Sequence, residues 1–417
     1  MPCPHLRTVS FVLLAAASTH CTGKAPTHAF VAEPEGAGDG MTDSVAPAFP
    51  MAGGEPAPAQ PSGTPPSTEM VAPTALVTPT SPAPAGTGAT VPPVSDPVAT
   101  TPAAPGADRC DVGVYDPNNP PQSLALSGSL NAHDPVIVAA GGSYHFFSTG
   151  NGISVKTSPD LLNWSAGAPV FASAPAWFQQ LVPGYAGRSV WAPDVSYFGG
   201  QYHLYYAVST FGSNRSCIGH ATRADLDAGE WTDHEAAFCS NQPGQNDNYN
   251  AIDPNVVLDE AGSPWLSFGS FWSGIKMIHL DLNGDRVGTE LIDLASRGGG
   301  AIEGPFIVRR CGYYYLFVSF DACCQGLNST YNLRVGRSPT LSGPYVDRAG
   351  TAMMNGGGTL VLQKGGDWIA PGHNAVLFDG TRAYNVYHAL TATNGASMLR
   401  ISELVWDSDG WPISGGP

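Results

Sequence analysis

The sequence predicts an all-β protein: a five-bladed β-propeller preceded by a disordered segment rich in Pro, Ala and Thr. Three observations carry that expectation. Five segments share one plan, namely "AHDPVIVAAGGSYHFFST", "VWAPDVSYFGGQYHLYYAV", "AIDPNVVLDEAGSPWLSFGS", "AIEGPFIVRRCGYYYLFVSF" and "APGHNAVLFDGTRAYNVYHA". Each opens on a small or polar cluster with Pro, runs through an apolar strand, turns at Gly or Asp-Gly and returns as an aromatic-rich strand, which is the signature of a β-hairpin. Their starts, near residues 133, 192, 252, 302 and 372, set a spacing that fits a four-stranded sheet with its loops, and such sheets arranged radially form a propeller.

The elements follow in order. Residues 1–21 read as a secretory signal, with a weakly basic start and the short apolar run "SFVLLAAAS". Cys21 closes that run, so two readings stay open: plain secretion, or a cell-surface lipoprotein tethered to the membrane through an acylated Cys21. Residues 22–108 hold 18 of the 38 Pro, almost no aromatics and no apolar periodicity. Such a chain buries too little surface to offset its ordering entropy and reads as a disordered linker. Residues 109–417 become globular and hold all five repeats, hence the propeller. Between the hairpins, stretches such as "GISVKTSPDLLNW" and "YNLRVGRSPTLSGPY" supply the further strands.

Setting aside Cys3 and Cys21, six of the eight cysteines remain, an even number in a compartment that permits disulfides. Cys217 with Cys239 is the expected pair within one sheet, and the adjacent Cys323 and Cys324 suit a vicinal bridge. Zinc-type Cys/His spacing is absent, which argues against a structural metal on thiolates. The net charge of −16 argues against nucleic acid and anionic membrane surfaces as partners. "NRS" at Asn214 and "NST" at Asn328 fit glycosylation sequons, which are short enough to arise by chance, and "GGGAIEG" reads as a turn rather than a phosphate loop.

The innermost strand of each propeller blade faces the axis, so its first residues converge from distant parts of the chain. Those positions are expected to hold Asp134, Asp253 and Glu303, with His373 close by and Ala192 in the remaining repeat. A lone acid at a strand end is usually just solvated; three acids at one end of a channel raise one another's pKa values and separate into proton donor and acceptor. Glycoside hydrolysis needs that division. Trp191, Phe211 and Trp272 suit the faces of sugars, though each also suits core packing.

The ordered set "HDP", "WAPDV", "AIDPNV", "SFGSFWSGI", "IEGPF", "FVSFDACCQG", "YNLRVGRS" and "APGHN" closely resembles the family 43 glycoside hydrolases, and among them the endo-α-1,5-L-arabinanases, over residues 125–417. The resemblance implies inverting hydrolysis of arabinan or arabino-oligosaccharides of plant pectin, with Asp134 as general base, Glu303 as general acid and Asp253 raising and orienting the acid. It places Asn250, Ser270, Phe271, Trp272 and Gly212 near the substrate and His373 beside a calcium or other cation. It leaves room for no accessory domain, and a monomer is expected. An exo-acting α-L-arabinofuranosidase or β-xylosidase would share the acid trio, and a sugar-binding propeller without catalysis is the non-enzyme alternative.

Overall fold

The computed structural model describes residues 108–187 and 189–417. The signal and linker readings over residues 1–21 and 22–108, Cys21 included, therefore fall almost wholly outside the described residues.

The chain forms five sheets in sequence order. The first holds β1 (Ser127–Gly128), β2 (Val136–Ala140), β3 (Ser143–Ser148), β4 (Ser154–Ser158) and β5 (Asn163–Ala166), and after it comes the short helix α1 (Trp177–Leu181), which the repeat pattern does not anticipate. The second holds β6 (Trp191–Phe198), β7 (Gln201–Val208), β8 (Cys217–Arg223) and β9 (Thr232–Cys239), and the third β10 (Asn255–Leu258), β11 (Pro264–Phe268), β12 (Ile275–His279) and β13 (Ile292–Ala295). The fourth holds β14 (Ile302–Arg310), β15 (Tyr313–Phe320), β16 (Asn332–Ser338) and β17 (Thr359–Leu362), and the fifth β18 (Trp368–Asp379), β19 (Arg382–Thr391), β20 (Ser397–Trp406) and β21 (Pro412–Ser414). The hairpins within each sheet are antiparallel; among the described strands only the two-residue β1 pairs in parallel, at the outer edge beside β5. Consecutive first strands touch one another, and β18 returns to β2, which closes the ring of a five-bladed propeller.

This packing explains why strict alternation is missing. The middle strands are sandwiched on both faces by neighbouring blades, so β7, β15 and β19 are buried almost throughout and read as continuous apolar and aromatic runs. The outer strand β9 is exposed or half-buried along its length except at Phe238. Phe146, Phe178, Tyr206 and Phe317 are fully buried between blades, each aromatic contributing about 1.5–3 kcal/mol through area removed from water.

Closure needs a latch, because a radial sheet array has a seam between its first and last blades. The segment after Cys110 runs along the last blade, with Val114 bridged to Trp406, Ser123 to Ser402 and Asn131 to Met398. Two further ties fix its start: the Cys110–Cys311 disulfide, and Arg310, which donates to the carbonyls of Val112 (2.8 Å) and Cys110 (2.9 Å). The expected Cys217–Cys239 and Cys323–Cys324 bridges are both formed.

Blade two buries a histidine pair, His203 Nδ1 lying 2.9 Å from His220 Nε2, with His234 stacked on His220 from the exposed side. Burial pushes His203 down to about 4 and His220 down to about 3. Both fold as neutral rings, whereas the unfolded chain takes up protons near pH 6.5, so stability present above that pH is lost as it falls toward 3. Scanning calorimetry is expected to show Tm dropping between pH 6.5 and 4, with a shallower slope in His220→Gln. An equal slope in that variant would assign the acid lability elsewhere.

Candidate active site

Each blade brings one residue with positive φ to the start of its innermost strand: Asp134 (51°), Ala192 (42°), Asp253 (58°), Gly304 (59°) and His373 (46°). Two residues later, each of these strands pairs in register with its neighbour, as Val136 with Phe147, Asp194 with Tyr205, Asn255 with Ser267, Phe306 with Phe317 and Ala375 with Val386. Four of the five residues precede Pro, a setting that disfavours this conformation and costs on the order of 1–3 kcal/mol for a residue with a side chain. Only Gly304 avoids that cost, and a Cβ there would stand 3.1 Å from His373 Nδ1. The expected equivalence is corrected at one point. Glu303 lies one residue ahead of the equivalent position, level with His133 and Trp191, and its side chain enters the site from there.

Asp134 is the best-held of the acids. Its Oδ2 accepts from Thr149 Oγ1 at 2.6 Å, and the same Thr149 oxygen accepts the Ala192 N–H at 2.8 Å, so blade two helps orient an acid of blade one. Its Oδ1 lies 3.1 Å from His373 Nδ1 and 3.7 Å from His133 Nε2, while its backbone N–H donates to His388 Nδ1 at 3.1 Å. Burial alone would raise its pKa, but the charges of His133 and His373 and the bond from His373 outweigh that and hold the carboxyl well below the usual range. His373 gains reciprocally: burial opposes its charge, yet Asp134 chiefly, with Asp253 and Glu303, lifts it to about 9.

The other two acids go the opposite way. Burial raises Asp253 to about 8, with the Glu303 and Asp134 charges adding to it, although the Gly304 N–H donates to its Oδ2 at 3.1 Å. Burial also raises Glu303, against the opposing bonds from Ser270 Oγ to its Oε2 at 2.8 Å and from Tyr331. One rim therefore carries a carboxyl held down at Asp134 beside two neighbouring carboxyls, Asp253 and Glu303, that burial pushes up.

The aromatic and polar candidates separate. Ser270, Phe271 and Trp272 form a turn beside Glu303, where the Phe271 N–H donates to the Ile302 carbonyl at 2.8 Å and both aromatic residues have positive φ. Trp191 begins β6, half-buried and level with Glu303. Asn250 is buried, and its Oδ1 accepts from Ser216 Oγ at 2.7 Å. Phe211, 74% exposed, and Gly212 occupy the turn after β7.

Thr149, Ser319, Tyr331, His133 and His388 go unmarked as site residues in the sequence reading. Ser319 accepts the His373 N–H at 2.8 Å and hydrogen-bonds Tyr331, linking the last two blades. A Cβ on Gly372 would meet the Tyr331 ring at 2.3 Å, so Gly there lets the ring approach Glu303. The signal was present, since "HDP" and "FVSFD" contain His133 and Ser319, but each has an ordinary strand position.

Calcium takes 6–8 oxygen ligands, whereas His373 offers nitrogen and its Nδ1 faces Asp134. Among the described residues the converging potential ligands are His133 with Cys323 and His388, and Asp108 with Cys110 and Cys311; His373 is in neither group. The donor set does not fit a calcium held by protein ligands.

The model of "Glycosyl hydrolases family 43" matches residues 128–412. The chain belongs to this family. It is similar to "Extracellular endo-alpha-(1->5)-L-arabinanase 1" of Bacillus subtilis, 41% identical over 70% of this chain and 91% of that protein, and to "Extracellular exo-alpha-(1->5)-L-arabinofuranosidase ArbA" of Cellvibrio japonicus, 39% identical over 70% of this chain and 88% of that protein. Among solved structures, the GH43 endo-arabinanase of Bacillus licheniformis superposes with a TM-score of 0.66 at 46% identity, covering 70% of this chain and 99% of that one. The family 43 chain is thus a glycosidase, and its propeller is the family's fold.

Proposed function

We propose that this glycosidase cleaves internal α-1,5-linked L-arabinofuranosyl bonds of arabinan with inversion. The observation that carries the reading is the opposed pull on two carboxyls of one rim, Asp134 held down by its histidine neighbours and Glu303 pushed up by burial. In this scheme Asp134 takes a proton from water, whose oxygen attacks the anomeric carbon. Glu303 gives its proton to the departing sugar oxygen, and solvent restores both groups. Asp253 sits beside Glu303 and orients it, while Ser270 holds its carboxyl. Phe271, Trp272 and Trp191 offer ring faces to the sugars.

Endo action draws support from the endo-arabinanase relatives, while the exo-acting Cellvibrio relative favours the competing reading. Early digestion of linear arabinan is expected to give a ladder of oligosaccharides, and proton NMR the β-anomer first; a single short product from the first minutes would establish exo action, and α-product would exclude inversion. Export is supported by the word "Extracellular" in both relatives' names and by the disulfides. In this reading residues 22–108 space the propeller from a cell surface or are simply secreted with it, and a chain starting near residue 108 keeps its kcat on soluble arabinan.

A further inference from the structure

The chain between β15 and β16 carries two adjacent cysteines whose disulfide stands against His133. The Cys323 and Cys324 sulfurs lie 3.8 and 3.5 Å from His133 Nε2, and the His133 ring packs on His388 with centroids 4.1 Å apart. Ligand atoms of His133, Cys323 and His388 all come within 4.8 Å of one another. Cys323 and His133 are 190 residues apart in the chain, which is why motif spacing excludes a thiolate metal site while the fold assembles the parts of one.

This disulfide is a poor staple. Cross-links stabilise a fold mainly in proportion to the loop they close, and Cys110–Cys311 closes a separation of 201 and Cys217–Cys239 one of 22, whereas Cys323–Cys324 joins neighbours. Opening it leaves the propeller's longer cross-links and sheets in place.

We propose that Cys323, Cys324, His133 and His388 form a redox-gated site for a thiophilic divalent cation of the zinc class. A dithiol reductant opens the bridge: one S–S bond breaks, two thiols form, and the reductant gives up two electrons and two protons as it closes its own disulfide. The thiols then release their protons to solvent on metal binding, and two thiolates with two imidazoles complete a tetrahedral set. Occupancy opposes the posture of Asp134. His388 Nδ1 accepts the Asp134 backbone N–H, so its ring proton sits on Nε2. Ligation through Nε2 moves that proton to Nδ1, where it meets the N–H donor to donor, and the cation also draws His133 away from the Asp134 carboxylate. The metal-loaded, reduced protein is therefore switched off; this inhibitory half rests on Asp134 being the base, whereas the binding half does not.

The full chain, reduced with dithiothreitol and freed of it anaerobically, is titrated with Co²⁺ and then Zn²⁺. The expected result is one equivalent of cobalt with a thiolate charge-transfer band and tetrahedral d–d bands, displaced by zinc and absent both from the oxidised protein and from Cys323→Ser/Cys324→Ser. Zinc is expected to lower arabinan hydrolysis at least tenfold in the reduced protein, reversibly on chelation, and to leave the double variant's own rate unaltered. Three results overturn the site: no thiolate band in reduced protein that circular dichroism shows folded, the same band in the double variant, or a bridge that opens only as the propeller unfolds. Cobalt binding with undiminished hydrolysis overturns the switch. Cobalt binding in a protein that hydrolyses no arabinan in any state supports the site and counts against the hydrolase reading instead.

Discussion

Glu303→Ala is expected to lower cleavage of linear arabinan by about 10² to 10⁴-fold, the span that positioned proton transfer contributes, and to cost far less on an arabino-oligosaccharide with an activated aryl leaving group. An alkoxide leaves poorly without a proton and a nitrophenolate leaves readily, so the two substrates separate loss of the acid from loss of the fold. The pH profile gives a second reading. Glu303 works while protonated, and burial raises its pKa, so the basic limb of kcat/KM should stand above the ordinary carboxyl range and vanish from the aryl profile of Glu303→Ala. Asp253→Asn removes an ionisable neighbour of Glu303 and should move that limb to lower pH. Equal losses on both substrates would reassign the acid.

The fold was legible because one plan recurs five times, and each copy carries turn chemistry at its hairpin, as at Gly141-Gly142, Gly199-Gly200 and Asp379-Gly380. Repetition also located the site, since equivalent strand starts must meet at the axis. It misplaced Glu303 by one residue for a physical reason: Gly304, not Glu303, takes the left-handed turn, and a register read from the acids alone cannot see a backbone angle. The support around the acids was much less legible. Thr149, Ser319 and Tyr331 lie at strand ends where a hydroxyl is unremarkable, and they matter only because neighbouring blades bring Asp134, His373 and Glu303 within hydrogen-bond reach. Helix α1 was missed because its five residues are too few to show a period.

Asp134→Ala should lose about 10² to 10⁴-fold on natural and activated substrates alike, because water has to be activated whichever group departs. The ratio of the two losses, near one here and large for Glu303→Ala, is what distinguishes base from acid. Asp134 also holds up the His373 pKa, so in Asp134→Ala the His373 imidazole should titrate at lower pH by NMR. Thr149→Val separates orientation from identity. Its hydroxyl donates to Asp134 Oδ2 and accepts from Ala192, and Val keeps the volume while removing both bonds. The orphaned Ala192 N–H costs about 1–3 kcal/mol of stability. Loss of a donor to the ionised form raises the Asp134 pKa, so the acidic limb of kcat/KM, which falls as Asp134 gains its proton, should shift upward and return with Thr149→Ser. A Thr149→Val enzyme whose Tm falls while its acidic limb stays in place would show that this hydroxyl only joins two blades and that Asp134 is held for catalysis by its histidines alone.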